Sequence, residues 1–309
     1  MKLPDLKQYR SNYQAAGISL PLPVVPSREG GLFAELPNCP SDSSGWPWTE
    51  QTDPKIYSAR DTWPKLTIVT PSFNQGQFIE QTIRSILLQN YPNLEFIVID
   101  GGSTDETIDI LEKYSRWISY WQSEKDNGQS QAINFGFSLA SGNYFAWLNS
   151  DDYYLKEVFA RVVDAFLKTG SKFIYGYCFN YYLDSKKYEL VRILPFRDFF
   201  IKIPGLLQPS TFWSAQIHQP VWEELHCSLD FELWLRLVKG NKRRLIRQPL
   251  SVANVHGDAK THDPRMKAKW DEDHLKIWSD EAHGRVYEWK RIMLLNRIRR
   301  KIYKLLGLI

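Results

Sequence analysis

The sequence predicts an α/β fold: a mostly parallel central sheet with helices on both faces. Three observations carry it. Short β-branched runs at Leu66–Thr70 and Leu94–Ile99 are each followed by a stretch of helical period, which is the β-α-β-α pattern of a parallel sheet. Both runs end in loops rich in turn and cap residues. A third apolar segment, Tyr144–Leu148, closes on Asn149-Ser150-Asp151-Asp152.

The first 63 residues are punctuated by Pro4, Pro21, Pro23, Pro26, Pro37, Pro40, Pro47 and Pro54. They predict an extended arm without regular helix or sheet. Trp46 and Trp48 are poorly placed in solvent and are expected to dock that arm on the core. After the first strand, Pro71-Ser72-Phe73-Asn74-Gln75-Gly76 leads into a helix whose apolar face is Ile79, Ile83, Ile86 and Leu87, with Glu80 and Arg84 as an exposed i,i+4 pair. Tyr91-Pro92-Asn93 ends it. The second strand stops at Asp100-Gly101-Gly102-Ser103, and Ser103 and Glu106 have capping-box spacing ahead of Ile108, Leu111 and Tyr114. Leu233, Trp234, Leu237 and Val238 mark a later helix from Phe231 to Val238, with Asp230 suited to its N-cap. From Arg285 to Lys304 eight Lys/Arg face one acid, a local charge of +7 in a chain of +4, so the remainder is −3. Interleaved Trp289, Ile292, Leu295, Ile298, Ile302 and Leu305 make this a basic amphipathic helix, suited to an anionic membrane or to packing on its own domain.

In parallel sheets, ligands bind beyond the carboxyl ends of the strands. Thr70–Asn74, Asp100–Ser103 and Asn149–Asp152 are all strand-end loops and should converge there. Adjacent carboxylates at a buried strand end are costly unless a cation compensates them, so a divalent metal carrying phosphates fits Asp151-Asp152. Neither a G-x-G-x-x-G nor a G-x-x-x-x-G-K-[ST] motif occurs, which disfavours nicotinamide enzymes and P-loop kinases. Nucleic acid is a poor partner for a chain that is acidic outside its last helix. Three scattered cysteines, no N-x-[ST] sequon and no apolar run of membrane-spanning length favour a reducing, cytoplasmic setting, with peripheral attachment to the membrane through residues 285–309.

The stretch from Leu66 to Leu155 resembles the donor-binding half of family 2 glycosyltransferases. Its marks are Thr-Pro-Ser-Phe-Asn at 70–74, Ser85-Ile86 with Gln89–Asn93, Val98–Asp105, Ser123–Ser130, Ala132-Ile133-Asn134 with Gly136, and Asn149–Asp152. Gln208–Trp213, Asp230–Leu237, and Val255-His256 with Lys260-Thr261 extend the resemblance to about residue 262.

The resemblance implies the GT-A fold and an inverting, Mn²⁺- or Mg²⁺-dependent transfer from a nucleotide-diphospho-sugar to a hydroxyl on a surface glycan or lipid-linked saccharide. It implies a donor site of Thr70, Pro71, Ser72, Asn74, Asp100, Gly101, Ser103, Gln129, Asn134 and Asp151. Asp152 and His256 would ligate the metal. Asp230 would be the catalytic base, with Gln208, Pro209, Ser210 and Trp213 on the acceptor side. Residues 64–270 would form the catalytic domain, 64–155 its donor half and 156–270 its acceptor half, followed by a helical segment from 271 to 309. The sequence departs at Gly101, where a second acid is common, at Asn149, the first position of a D-x-D arrangement, and at Asn254, where Arg is common. Taken without the resemblance, Asp151-Asp152 suits a solvated loop, Asp100 a turn cap, Gly101-Gly102 a tight turn, Gln208–Thr211 an ordinary loop, Trp213 the core and His256 a surface or satisfied buried residue. A sugar-phosphate nucleotidyltransferase and a non-catalytic membrane-bound scaffold share the same acids and stay open at this point.

Overall fold

The computed structural model describes residues 1–194, 205–257, 266–280 and 286–307. Lys260, Thr261 and Arg285 lie outside them. The parallel half of the sheet is built from β1 (Leu66–Ser72), β2 (Leu94–Asp100), β3 (Tyr120–Ser123) and β4 (Tyr144–Trp147) in the order β3-β2-β1-β4. Every residue of β1 and β2 is buried, because helices cover both faces. Leu66, Ile68, Phe96 and Val98 pack under α2 (Gly76–Leu87), α3 (Thr107–Tyr114) and α5 (Val158–Thr169). Val69, Ile97 and Ile99 point the other way, under α4 (Gln129–Leu139) and α6 (Leu229–Val238). The sheet continues through β8 (Thr211–Ser214), antiparallel to β4, then β6 (Phe173–Tyr182), β9 (Arg243–Val255) and the two-residue β5 (Tyr153–Tyr154). β7 (Lys187–Val191) forms a hairpin with β6.

Four local expectations are corrected. The arm contains a ten-residue helix, α1 (Leu6–Ala15), capped by Asp5 and packed on α4 through Tyr9 and Phe135, whose rings meet edge-on at 4.8 Å. Arg84 is not an exposed partner of Glu80. It is 1% exposed, and its guanidinium donates to the carbonyls of Pro37, Pro47 and Trp48 and to the Tyr114 hydroxyl, so a buried cation fastens the arm to α2. Trp46 Nε1 donates to Tyr154 O at 2.7 Å. Ser103 does not cap α3: Asp105 caps both helices, accepting from the Thr107 and Gly76 amides, while Ser103 serves Asp100. Asp230 is not an N-cap either, since α6 begins one residue earlier at Leu229, with Ser228 at the cap.

Two further helices, α7 (Lys267–Ser279) and α8 (Val286–Leu305), lie near α6: Trp289 meets Phe231 at 5.8 Å and Trp278 at 5.7 Å. Among the described residues no helix is long and apolar enough to cross a membrane.

Candidate active site

Parallel register brings the carboxyl ends of β1, β2 and β4 to one edge: Ser72 lies opposite Asp100, and Val69 opposite Trp147. The loops there interlock. Asn74, in left-handed backbone at φ 51°, donates its amide to Ser103 Oγ at 2.7 Å and accepts the Thr104 amide on its Oδ1. Gly101 N donates to Ser72 O, and a Cβ at residue 101 would lie 3.1 Å from Asp126 Oδ2, so the small residue admits the neighbouring loop.

Asp100 is fully buried, and its carboxylate accepts from the Gly102 and Ser103 amides and from the Ser103 and Ser123 hydroxyls. It builds the turn at this edge of the sheet. Thr70 Oγ1 and Ser72 Oγ are different: both are buried and neither has a hydrogen-bond partner. Buried hydroxyls without partners are uncommon and mark a place where water or a ligand completes the bonding. Gln208 adds a third such atom. Its Nε2 donates to Trp147 O at 2.7 Å, whereas its Oε1 is buried and unpartnered.

The acid pair is anchored from two directions. Thr82 Oγ1, on α2, donates to Ser150 O and Asp152 O. Asn254, on β9, sends its amide to Asp152 Oδ1 at 3.2 Å and its Nδ2 to Asp151 O at 2.6 Å. The departure at Asn254 is thus a latch on the acids. Asn149 is occupied as well, its Oδ1 accepting from Trp147 Nε1 and Gln129 Nε2, which places Gln129 beside the acid loop. Asp152 is 6% exposed, and burial followed by the Asp151 charge pushes its carboxyl well above the ordinary range. His256 Nε2 lies 3.4 Å from Asp151 Oδ2, and its ring packs on Phe78 at 4.6 Å. Among the described residues no cluster of three metal-capable side chains forms. Two crowded carboxylates, one of them costly to ionise, still fit a divalent cation, since Mg²⁺ is commonly held by one or two carboxylates with substrate phosphates completing its shell.

Asp230 sits in the first turn of α6, and burial raises its carboxyl from the ordinary 3.8 to about 6, with the Phe231 amide opposing the shift. The loop entering that helix is held from α7: the Asp273 carboxylate accepts from the His226, Cys227 and Ser228 amides at 2.9, 2.6 and 2.9 Å. Three successive amides aimed at one carboxylate form an anion nest. Sequence reasoning missed Asp273, Thr82 and the Asn254 latch, and only the departure at Asn254 gave a signal.

Three expected site residues belong to the framework instead. Asn134 is fully buried and spends both ends of its amide on Val221 and Glu223. Ser210 Oγ is bonded to Tyr177 O and Ser251 Oγ. Trp213 is fully buried between Phe137, His218 and Trp234, so its face is closed to a sugar. Pro209 is buried beside Gln208.

A glycosyl transferase family 2 model matches residues 67–223, about half the chain. An uncharacterized glycosyltransferase of Rickettsia typhi is 26% identical over 229 residues, 70% of this chain and 71% of its own length. Two solved structures share the fold at lower identity. A mannosyltransferase from Pyrobaculum calidifontis, in complex with GDP-Man and Mn²⁺, aligns over 93% of this chain and 79% of its own at TM-score 0.54 and 15% identity. S. aureus TarS 1-349, in complex with UDP-GlcNAc, aligns over 71% of this chain and 69% of its own at TM-score 0.53 and 18% identity. The sheet order, the helices on both faces and these matches agree on a GT-A architecture, and the chain belongs to glycosyl transferase family 2.

Proposed function

We propose that the protein is a metal-dependent, inverting glycosyltransferase that moves a sugar from a nucleotide-diphospho-sugar to an acceptor hydroxyl on a surface glycan or lipid-linked saccharide, working on the cytoplasmic side of a membrane. The observation that carries the reading is the crowded acid pair at the end of β4, with Asp152 buried and Asn254 latching both residues. Residues 64–155 supply the donor half and 156–270 the acceptor half.

Thr70 and Ser72 offer their unpartnered hydroxyls to the nucleoside, and the Asp100 turn shapes the edge beside them. Asp151 and Asp152, with His256 alongside, would hold Mn²⁺ or Mg²⁺; bound there, the ion would offset charge on the leaving diphosphate. Asp230 accepts the proton of the acceptor hydroxyl as that oxygen attacks the anomeric carbon from the face opposite the departing diphosphate. A carboxyl of pKa about 6 is ionised at neutral pH and more basic than an ordinary Asp, as a general base requires. Gln208 Oε1 is the free acceptor group on this side of the site.

The test is a screen of nucleotide sugars for thermal stabilisation in Mn²⁺ or Mg²⁺, followed by detection of released nucleoside diphosphate. Pyrophosphate released from a nucleoside triphosphate and a sugar phosphate would point to nucleotidyl transfer. Stabilisation without turnover would point to a scaffold.

A further inference from the structure

We infer that the distal half of α8 docks on an anionic lipid surface. The helix has two faces with different fates. Trp289 and Ile292 are 1% and 4% exposed and pack against the α6 side of the core. Leu294, Leu295, Ile298, Ile302 and Leu305 are 58%, 37%, 49%, 49% and 87% exposed. At 100° per residue these five fall within an arc of about 100°, on the far side of the helix from the packed pair. Within residues 294–305 one edge of that arc is bordered by Arg297, Lys301 and Lys304, the other by Arg299. Among the described residues no carboxylate pairs with Arg297, Lys301 or Lys304.

An exposed leucine-isoleucine stripe edged by cations matches one environment best: an apolar interior beneath an anionic surface, into which the stripe sinks while Lys and Arg reach up to the headgroups. Self-association would face stripe to stripe and bring the cation-rich borders of two copies together, which like-charge repulsion opposes. The segment from Leu294 to Leu305 is about 18 Å long, suited to lying in the interface and too short to span it. The packed half ties this surface to the chemistry. Trp289 contacts Phe231, the residue after Asp230, so a membrane-seated α8 holds the base-bearing helix near the lipid. That last step rests on the proposed role of Asp230, whereas lipid docking does not.

The test uses the full chain and sedimentation with phosphatidylcholine vesicles, with and without phosphatidylglycerol. Binding should require phosphatidylglycerol and weaken as salt is raised. Ile298→Glu with Ile302→Glu, and separately Arg297→Glu with Lys301→Glu, should each lower binding at least tenfold. All four positions lie outside the packed face, so the variants should keep the wild-type thermal midpoint and nucleotide binding. Equal sedimentation with both vesicle types, binding unaffected by either variant, or no binding at low salt would overturn the inference. A dimer that dissociates on Ile302→Glu without vesicle binding would assign the stripe to self-association. Loss of nucleotide binding in the wild type, with lipid binding intact, would count against the donor site alone.

Discussion

Replacing Asp230 by asparagine should make the protein more stable and far less active. The carboxyl is raised from 3.8 to about 6 by desolvation, so for this half-buried residue ionising it in the folded state costs at most about 3 kcal/mol more than in the unfolded chain. Below pH 3.8 both states hold the proton and the cost vanishes. Between 3.8 and 6 the folded state binds more protons than the unfolded one, so stability falls as pH rises, and above pH 6 the full penalty is present. The neutral amide introduced by Asp230→Asn carries no such penalty. At pH 7 the variant should gain up to about 3 kcal/mol, a figure already net of the Phe231 amide's opposing pull on the charge. At pH 3.5 the two proteins should be equally stable. Transfer should fall by about 10²–10⁴, the usual contribution of a positioned base, and donor affinity should hold. Urea titrations at the two pH values give the stability difference, and product formation gives the rate. A variant less stable at pH 7 would refute the desolvation argument, and near wild-type transfer would show that another group takes the proton.

Asp152→Ala should abolish metal-dependent binding of nucleoside diphosphate, measured by calorimetry, without lowering the thermal midpoint; equally tight binding in chelator would remove the metal from the reading. Because burial and Asp151 raise the Asp152 carboxyl, wild-type metal binding should weaken as pH is lowered, before ordinary surface carboxylates protonate. Asn254→Ala removes the side-chain bond to Asp151 O but keeps the backbone amide on Asp152 Oδ1, so it should loosen the Asp151 side of the loop and cost up to about tenfold in metal affinity, measured by calorimetry. Arg84→Met leaves the Pro37, Pro47 and Trp48 carbonyls without their donor and should destabilise by about 2–4 kcal/mol in urea titration, with nucleotide binding retained where the protein is folded.

The parallel half of the sheet was legible because its signals are local. Continuous apolar runs became β1 and β2, and the loops that follow them lie where parallel strands must end. The sheet beyond β4 was not legible. β6 pairs with β8 and β9, partners tens of residues away, across register shifts at Gly176 and Tyr177 that no period reveals. Helical spacing put Arg84 next to Glu80, but its carbonyl partners come from the arm, at least 36 residues back in the chain. Motif position likewise placed Asn134 among donor contacts, although its amide is consumed by the Val221 backbone and the Glu223 carboxylate. A motif residue can be kept for the framework as readily as for the ligand, and only the hydrogen-bond accounting separates the two.

That accounting bears on the two neutral residues around the acid pair. An acid at position 149 would put a third negative charge on a loop where Asp152 already ionises with difficulty. Asn149 avoids this and still accepts from Trp147 and Gln129, so the loop keeps its shape at lower charge. Asn254 acts on the same loop from β9, stabilising one carboxylate oxygen of Asp152 with a backbone amide. In the proposed reading, the protein alone would offer a cation the two carboxylates with His256 nearby but no assembled set of three side chains among the described residues, fewer groups than a six-coordinate ion takes. The diphosphate must supply much of the remainder, so cation and donor should bind synergistically, each tightening the other by the same factor. On that reading the arrangement would trade standing affinity for the metal against a site that becomes complete only when the sugar nucleotide is present.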